Sequence, residues 1–181
     1  MAPILGIWAS SKLPAVNAGS FESIATVTVG AGGSSSVTFS SIPQTYTHLQ
    51  LRIFVKGAYG YLVVNSDTST TYRRHYLYGD GASAGAGSDT NTAGWDVIDS
   101  SNTANIFAAN IVDILDYTNT NKNKVARILR GVDFNGSGAI SLLSGLYPST
   151  SAISSLTVTA HDLAGSFVQY SSFALYGIKG S

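Results

Sequence analysis

The sequence predicts an all-β protein, an antiparallel two-sheet sandwich of jelly-roll type with an extended N-terminal arm. Three observations predict this. Short runs alternate apolar and polar residues with a period of two. Clusters of Gly, Ser, Thr and Asn separate those runs at close intervals. Chemistry-bearing residues are scarce, with no Cys, one Met and three His in 181 residues, and Glu22 as the single glutamate. The chain divides into an arm, residues 1–19, and a β-sandwich domain, residues 20–181.

The arm is read from Pro3-Ile4-Leu5-Gly6-Ile7-Trp8, which is apolar without helical spacing, and from the punctuation at Pro14 and Gly19. Water is a poor environment for such a segment. It either joins its own sheet as a first strand or docks on a neighbour, with Ile4, Leu5, Ile7 and Trp8 as the docking residues. Burying each would contribute roughly 1.5–3 kcal/mol as an upper figure.

From Phe21 the pattern is β. Ala25, Val27 and Val29 alternate with Thr26 and Thr28. After the Gly30–Ser34 break, Val37 and Phe39 resume the pattern, so Phe21 to Phe39 reads as a hairpin with a Gly-rich loop. Thr47–Lys56 is the clearest strand, with Leu49, Leu51, Ile53 and Val55 on one face. Tyr59–Asn65 is another, and Tyr72–Tyr78 a third. Ala82–Gly94 is rich in small residues and reads as a long loop. Ile106–Leu115 fits helix or strand by periodicity; its Asn and β-branched flanks favour strand. Lys124–Phe134 and Ala139–Tyr147 flank Asn135-Gly136, the strongest turn signal in the chain. Ile153–Ala160 and Phe167–Ile178 complete eight to ten strands, which suit a two-sheet sandwich.

The totals narrow the function. Charged residues make up only 11% and formal net charge is zero. A weakly charged surface suits contact with neighbours, since little charge has to be desolvated. Nucleic-acid partners are not expected, because phosphate binding relies on clustered Lys and Arg. The two basic groupings, Arg73-Arg74 and Lys122–Arg130, read as solvated strand edges or turns. No run approaches the roughly 18 apolar residues of a membrane helix, and neither a membrane partner nor a secretory signal is expected. Without Cys there is no disulfide framework, thiolate zinc site or thiol nucleophile.

No catalytic residue, metal site or cofactor is expected. His161-Asp162 is the only adjacent His–carboxylate pair. A triad would need a serine placed beside it by the fold, and in a chain this rich in Ser a chance motif carries little weight, so the pair reads as a turn. Gly79-Asp80-Gly81 reads as a β-turn in preference to a phosphate loop. Asp80, Asp89, Asp96 and Asp99 lack the spacing of a calcium loop. Asn135-Gly136-Ser137 is formally a glycosylation sequon but serves as turn chemistry. The aromatic group Tyr59, Tyr61, Tyr72, Tyr76, Tyr78 and Trp95 has two readings. Flat rings beside Asp, Asn and Arg can stack on sugars, or they fill the core or a contact between subunits.

Four stretches carry a family resemblance: Pro3-Ile4-Leu5-Gly6-Ile7-Trp8-Ala9-Ser10, Tyr46-Thr47-His48-Leu49-Gln50-Leu51-Arg52, Ile114-Leu115-Asp116-Tyr117, and Phe173-Ala174-Leu175-Tyr176-Gly177-Ile178-Lys179. Together they resemble small virion structural proteins of tailed bacteriophages, cyanophages included. The resemblance implies a non-enzymatic β-sandwich subunit located in the virion. Its implied partners are itself, as a homotrimer, and other virion proteins, foremost the major capsid protein. The leading role is a capsid decoration (cement) protein that stabilises the particle exterior. The alternative is a tail-fibre or baseplate module that binds host-surface glycans.

Overall fold

Alternation with period two gives each strand one face for a shared core, and the computed structural model, which describes residues 20–162 and 165–180, builds that core between two antiparallel sheets. The strands are β1 (Phe21–Thr28), β2 (Ser36–Phe39), β3 (His48–Val55), β4 (Tyr59–Val64), β5 (Tyr72–Gly79), β6 (Ala84–Thr92), β7 (Trp95–Ile98), β8 (Ala108–Leu115), β9 (Lys124–Asp133), β10 (Gly138–Tyr147), β11 (Leu156–His161) and β12 (Ser172–Ile178). The large sheet runs β1-β12-β3-β8-β9-β10-β5-β6 and the small one β2-β11-β4-β7. The arm, including Ile4, Leu5, Ile7 and Trp8, lies outside the described residues.

The two-sheet sandwich expected from the sequence is present. Successive strands pass repeatedly from one sheet to the other, and the sheets hold eight and four strands. Three local expectations need correction. The segment Phe21 to Phe39 is no hairpin: β1 pairs with β12 and β2 with β11, so the Gly-rich link crosses between sheets. The strands number twelve among the described residues. Finally, most of Ala82–Gly94 is the nine-residue strand β6, paired with β5 in unbroken register from Arg73↔Thr90 to Gly79↔Ala84.

Glycines explain β6. A β-carbon at Gly85 would lie 2.7 Å from the Tyr78 ring, and one at Gly87 would lie 2.5 Å from the Tyr76 hydroxyl oxygen. Both tyrosines therefore extend flat across β6, and side chains larger than hydrogen are excluded beneath them. Asn135 and Gly136 take φ values of 60° and 116°, as a tight hairpin turn requires, and Phe134 N–H donates to Ser137 O at 2.8 Å.

The core is built from Leu49, Leu51 and Val55 of β3, Val112 and Ile114 of β8, Leu62 and Val64 of β4, and Leu156 and Val158 of β11, all fully buried. Tyr72 is buried among them, stacked on Tyr147 at 4.7 Å and edge-on to Trp95 at 5.8 Å. Its hydroxyl accepts the Val64 N–H at 2.9 Å and donates to Asp67 O at 3.1 Å. Trp95 lies against Gly145, where a β-carbon would stand 2.6 Å from indole Cδ1. Gly145→Val should therefore cost about 1–3 kcal/mol by overpacking, read as a lower midpoint in chemical denaturation with an unchanged slope.

Candidate interaction surface

The small sheet covers one face of the large sheet. On the opposite, outer face, cross-strand register aligns Leu77 of β5, Leu142 of β10, Leu129 of β9 and Ile111 of β8 in one row. They are between 38% and 59% exposed. With neighbouring strands about 4.8 Å apart, the row spans roughly 14 Å. The adjacent row is Gly79, Ile140, Gly131, Ala109 and Phe54. Its small central residues floor a depression of about 680 Å³, bounded by Leu129, Ile140 and Phe107. Phe107 stacks on Phe54 at 4.9 Å. The rim beyond is formed by two turns carrying Asp80 and Asp133.

On the other side of the leucine row the register brings together His75, Ser144, Arg127, Asp113 and Gln50. Gln50 donates to Asp113 Oδ1 at 2.7 Å, and Arg52 Nε donates to Gln50 Oε1 at 2.8 Å. An apolar band two rows deep with a hydrogen-bonded polar margin has the anatomy of a contact surface. Isolated exposed leucines are ordinary, but a contiguous apolar patch marks a docking site.

The six aromatic residues singled out from the sequence do not form one site. Tyr72 and Trp95 belong to the core, at 0% and 1% exposure. Tyr59 and Tyr61 lie on the small sheet, where Tyr61 stacks on His161 at 3.9 Å. Tyr76, half-buried against the core, and the more exposed Tyr78 are neighbours on β5, 6.2 Å between ring centres. Arg74 approaches the Tyr76 ring at 5.5 Å.

Charge goes inward where the sequence reading placed it outward. Arg74 pairs with Asp89 at 2.7 Å and also with Asp96. Arg130 pairs with Asp96 at 2.5 Å and lies 3.5 Å from Asp99. The side chains of Arg74, Arg130, Asp96 and Asp99 are only 13–16% exposed. Burial pushes the Asp99 carboxyl above its usual range; Arg130 opposes that shift and Asp96 adds to it. Lys124 is fully buried, and its ammonium donates to the carbonyls of Lys122 at 2.9 Å and Thr150 at 3.0 Å, as well as to that of Asn119. Desolvation lowers its pKa. Arg74, Lys124 and Arg130 are therefore interior residues, which corrects their reading as solvated edges. Their alternating positions on β5 and β9 carried that signal, but the extent of the small sheet decides which face is covered.

The other motifs weighed from the sequence make local contacts. Asp80 Oδ1 accepts the N–H groups of Ala82 at 2.9 Å and Ser83 at 2.6 Å, closing the β5–β6 turn. Gly81-Ala82-Ser83-Ala84-Gly85 matches the pattern G-x-S-x-G. It joins strand to strand and lacks the following helix of a nucleophile elbow. His161 Nδ1 lies 2.9 Å from Asp162 Oδ2, and its other nitrogen is buried without a hydrogen-bond partner, so no serine hydroxyl rests on it. Neither Asp96 nor Asp99 lines the depressions on the outer face. Among the described residues no group of three His, Cys, Asp or Glu is placed to hold a metal ion.

No family model, curated protein or solved structure matches the chain.

Proposed function

We propose that the protein is a non-enzymatic structural subunit of a phage particle, attached to the particle exterior through the outer face of its large sheet. The capsid decoration role suits this reading best. The observation that supports it is the apolar band of Leu77, Leu142, Leu129 and Ile111 with its polar margin. A lattice of capsid proteins offers many equivalent docking positions. An interface of ordinary size, roughly 1,200–2,000 Å² in total, then gains from multivalency once copies are linked to one another. The arm, with Ile4, Leu5, Ile7 and Trp8, is a second proposed anchor, and the major capsid protein is the proposed partner.

The alternative, a tail-fibre or baseplate module that recognises host glycans, draws on the exposed Tyr78 beside the half-buried Tyr76 on the β5–β6 hairpin. Electron micrographs of particles labelled with an antibody against this chain separate the two. Regular label over the head surface is the expected result. Label confined to the tail would favour the glycan module, and unlabelled particles would remove both readings.

A further inference from the structure

We infer that β6 is a pairing edge at which two copies of this chain join their large sheets into one. This deepens the self-association in the reading above, and it replaces the implied threefold with a twofold contact. Among the described residues the sandwich has four sheet edges, and three of them are blunted. In β1 the register shifts between Ser23 and Ala25, and Glu22 at its start is tied to Lys179 at 2.7 Å. β2 and β7 are four residues each, and the pairing of β7 is interrupted by a further register shift. Short, bulged or charged edges are how proteins prevent unwanted strand addition.

β6 carries one such device only at its C-terminal end, where the register shifts between Thr90 and Thr92 and Asn91 takes a φ of 62°; from Ala84 to Thr90 it is regular. It has nine residues, no Lys, Arg or Pro, and Asp89 as its one charge. Asp80 N–H donates to Ser83 O at 3.1 Å, which fixes the hydrogen-bonding phase of the hairpin. Counting along the register from that pair, Ala84, Ala86 and Ser88 fall at positions whose N–H and C=O point away from β5, toward the open side.

A second β6 is the occupant these features fit. An antiparallel twofold through Ala86 sets Ala86 against Ala86 of the second copy and Ala84 against Ser88. Every side chain at the joint is small. Asp89 then faces Ser83, and the two Asp89 residues stand about 20 Å apart along the strands. Like charges therefore do not meet. Leu77 on one face of the hairpin and Tyr78 on the other are 59% and 46% exposed, so both sides of the joint are flanked by apolar surface. The contact is isologous and gives pairs.

The test uses the isolated full chain, so its failure would leave particle docking untouched. Native mass spectrometry and light scattering should find a species of two chains. Ala86→Pro removes an outward N–H without touching the β5–β6 ladder, and it should abolish that species while circular dichroism remains that of a folded β protein. The chain has no cysteine, so Ala86→Cys introduces a single thiol. Across the twofold the two Cα atoms would lie about 5.5 Å apart, within disulfide range, and mild oxidation should cross-link the pair. Thr38→Cys, on the outer face of the small sheet, should stay uncrosslinked. A monomeric parent chain, a two-chain species that survives Ala86→Pro, or an Ala86→Cys that cross-links no faster than Thr38→Cys would overturn the inference.

Discussion

Replacing Arg130 with alanine should lower the stability of the sandwich by roughly 3 kcal/mol, the size expected when one partner of a buried charge cluster is removed. Arg130 is the cation nearest Asp99, and it shares Asp96 with Arg74. Without it, Asp96 keeps Arg74, but Asp99 is left in a site that already disfavours its charge. The pH dependence follows from that sign. A carboxyl whose folded pKa is raised above its ordinary value of 3.8 binds a proton more tightly when folded. It therefore costs stability at neutral pH, and the cost disappears as pH falls through the folded pKa toward the unfolded one. The gap between Arg130→Ala and the parent should accordingly narrow between pH 7 and about pH 4. Adding Asp99→Asn to Arg130→Ala should recover much of the loss at pH 7. Urea unfolding at several pH values measures both effects. A gap that stays constant with pH, unmoved by Asp99→Asn, would show that Arg130 acts through packing alone.

A second large effect is expected at the outer face. Leu129 and Leu142 are cross-strand partners at the centre of the apolar band, about half exposed. Changing both to lysine should leave folding stability within about 1 kcal/mol, since exposed strand positions tolerate polar residues. On particles, the same change sets two ammonium groups in a contact that must be dry. A loss of about 3 kcal/mol or more, over 100-fold in affinity, is the scale of hot-spot residues. Quantitative binding to undecorated particles is the measurement.

How much of this was legible in the sequence depended on side-chain type. Strand β3 announces itself because branched apolar residues alternate with polar ones. β6 does not. Ala84-Gly85-Ala86-Gly87 carries no strand propensity of its own, and its conformation is set by Tyr76 and Tyr78 lying across it from β5. The buried roles of Arg74 and Arg130 were hidden for a related reason. Alternation groups residues into two faces, but tertiary packing decides which face is covered, and here a four-stranded sheet covers part of an eight-stranded one. Leu77, Leu129 and Leu142 are exposed because they stand on the face of the large sheet that the small sheet does not cover. Read along the chain they look like core, and only the register reveals them as one surface. The aromatic group dispersed because sequence proximity between Tyr59 and Trp95 spans both sheets.

The absence of cysteine permits a direct test of the outer face. Leu142→Cys supplies a single thiol in the middle of the apolar band, and Thr38→Cys supplies one on the far side of the sandwich, where Thr38 is exposed. Maleimide labelling should proceed at similar rates for both in the free subunit. On assembled particles, the thiol at 142 should be protected while the one at 38 still reacts. Equal labelling of the two on particles would mean that the outer face remains in water, and the account of this protein as a subunit held by that face would fail.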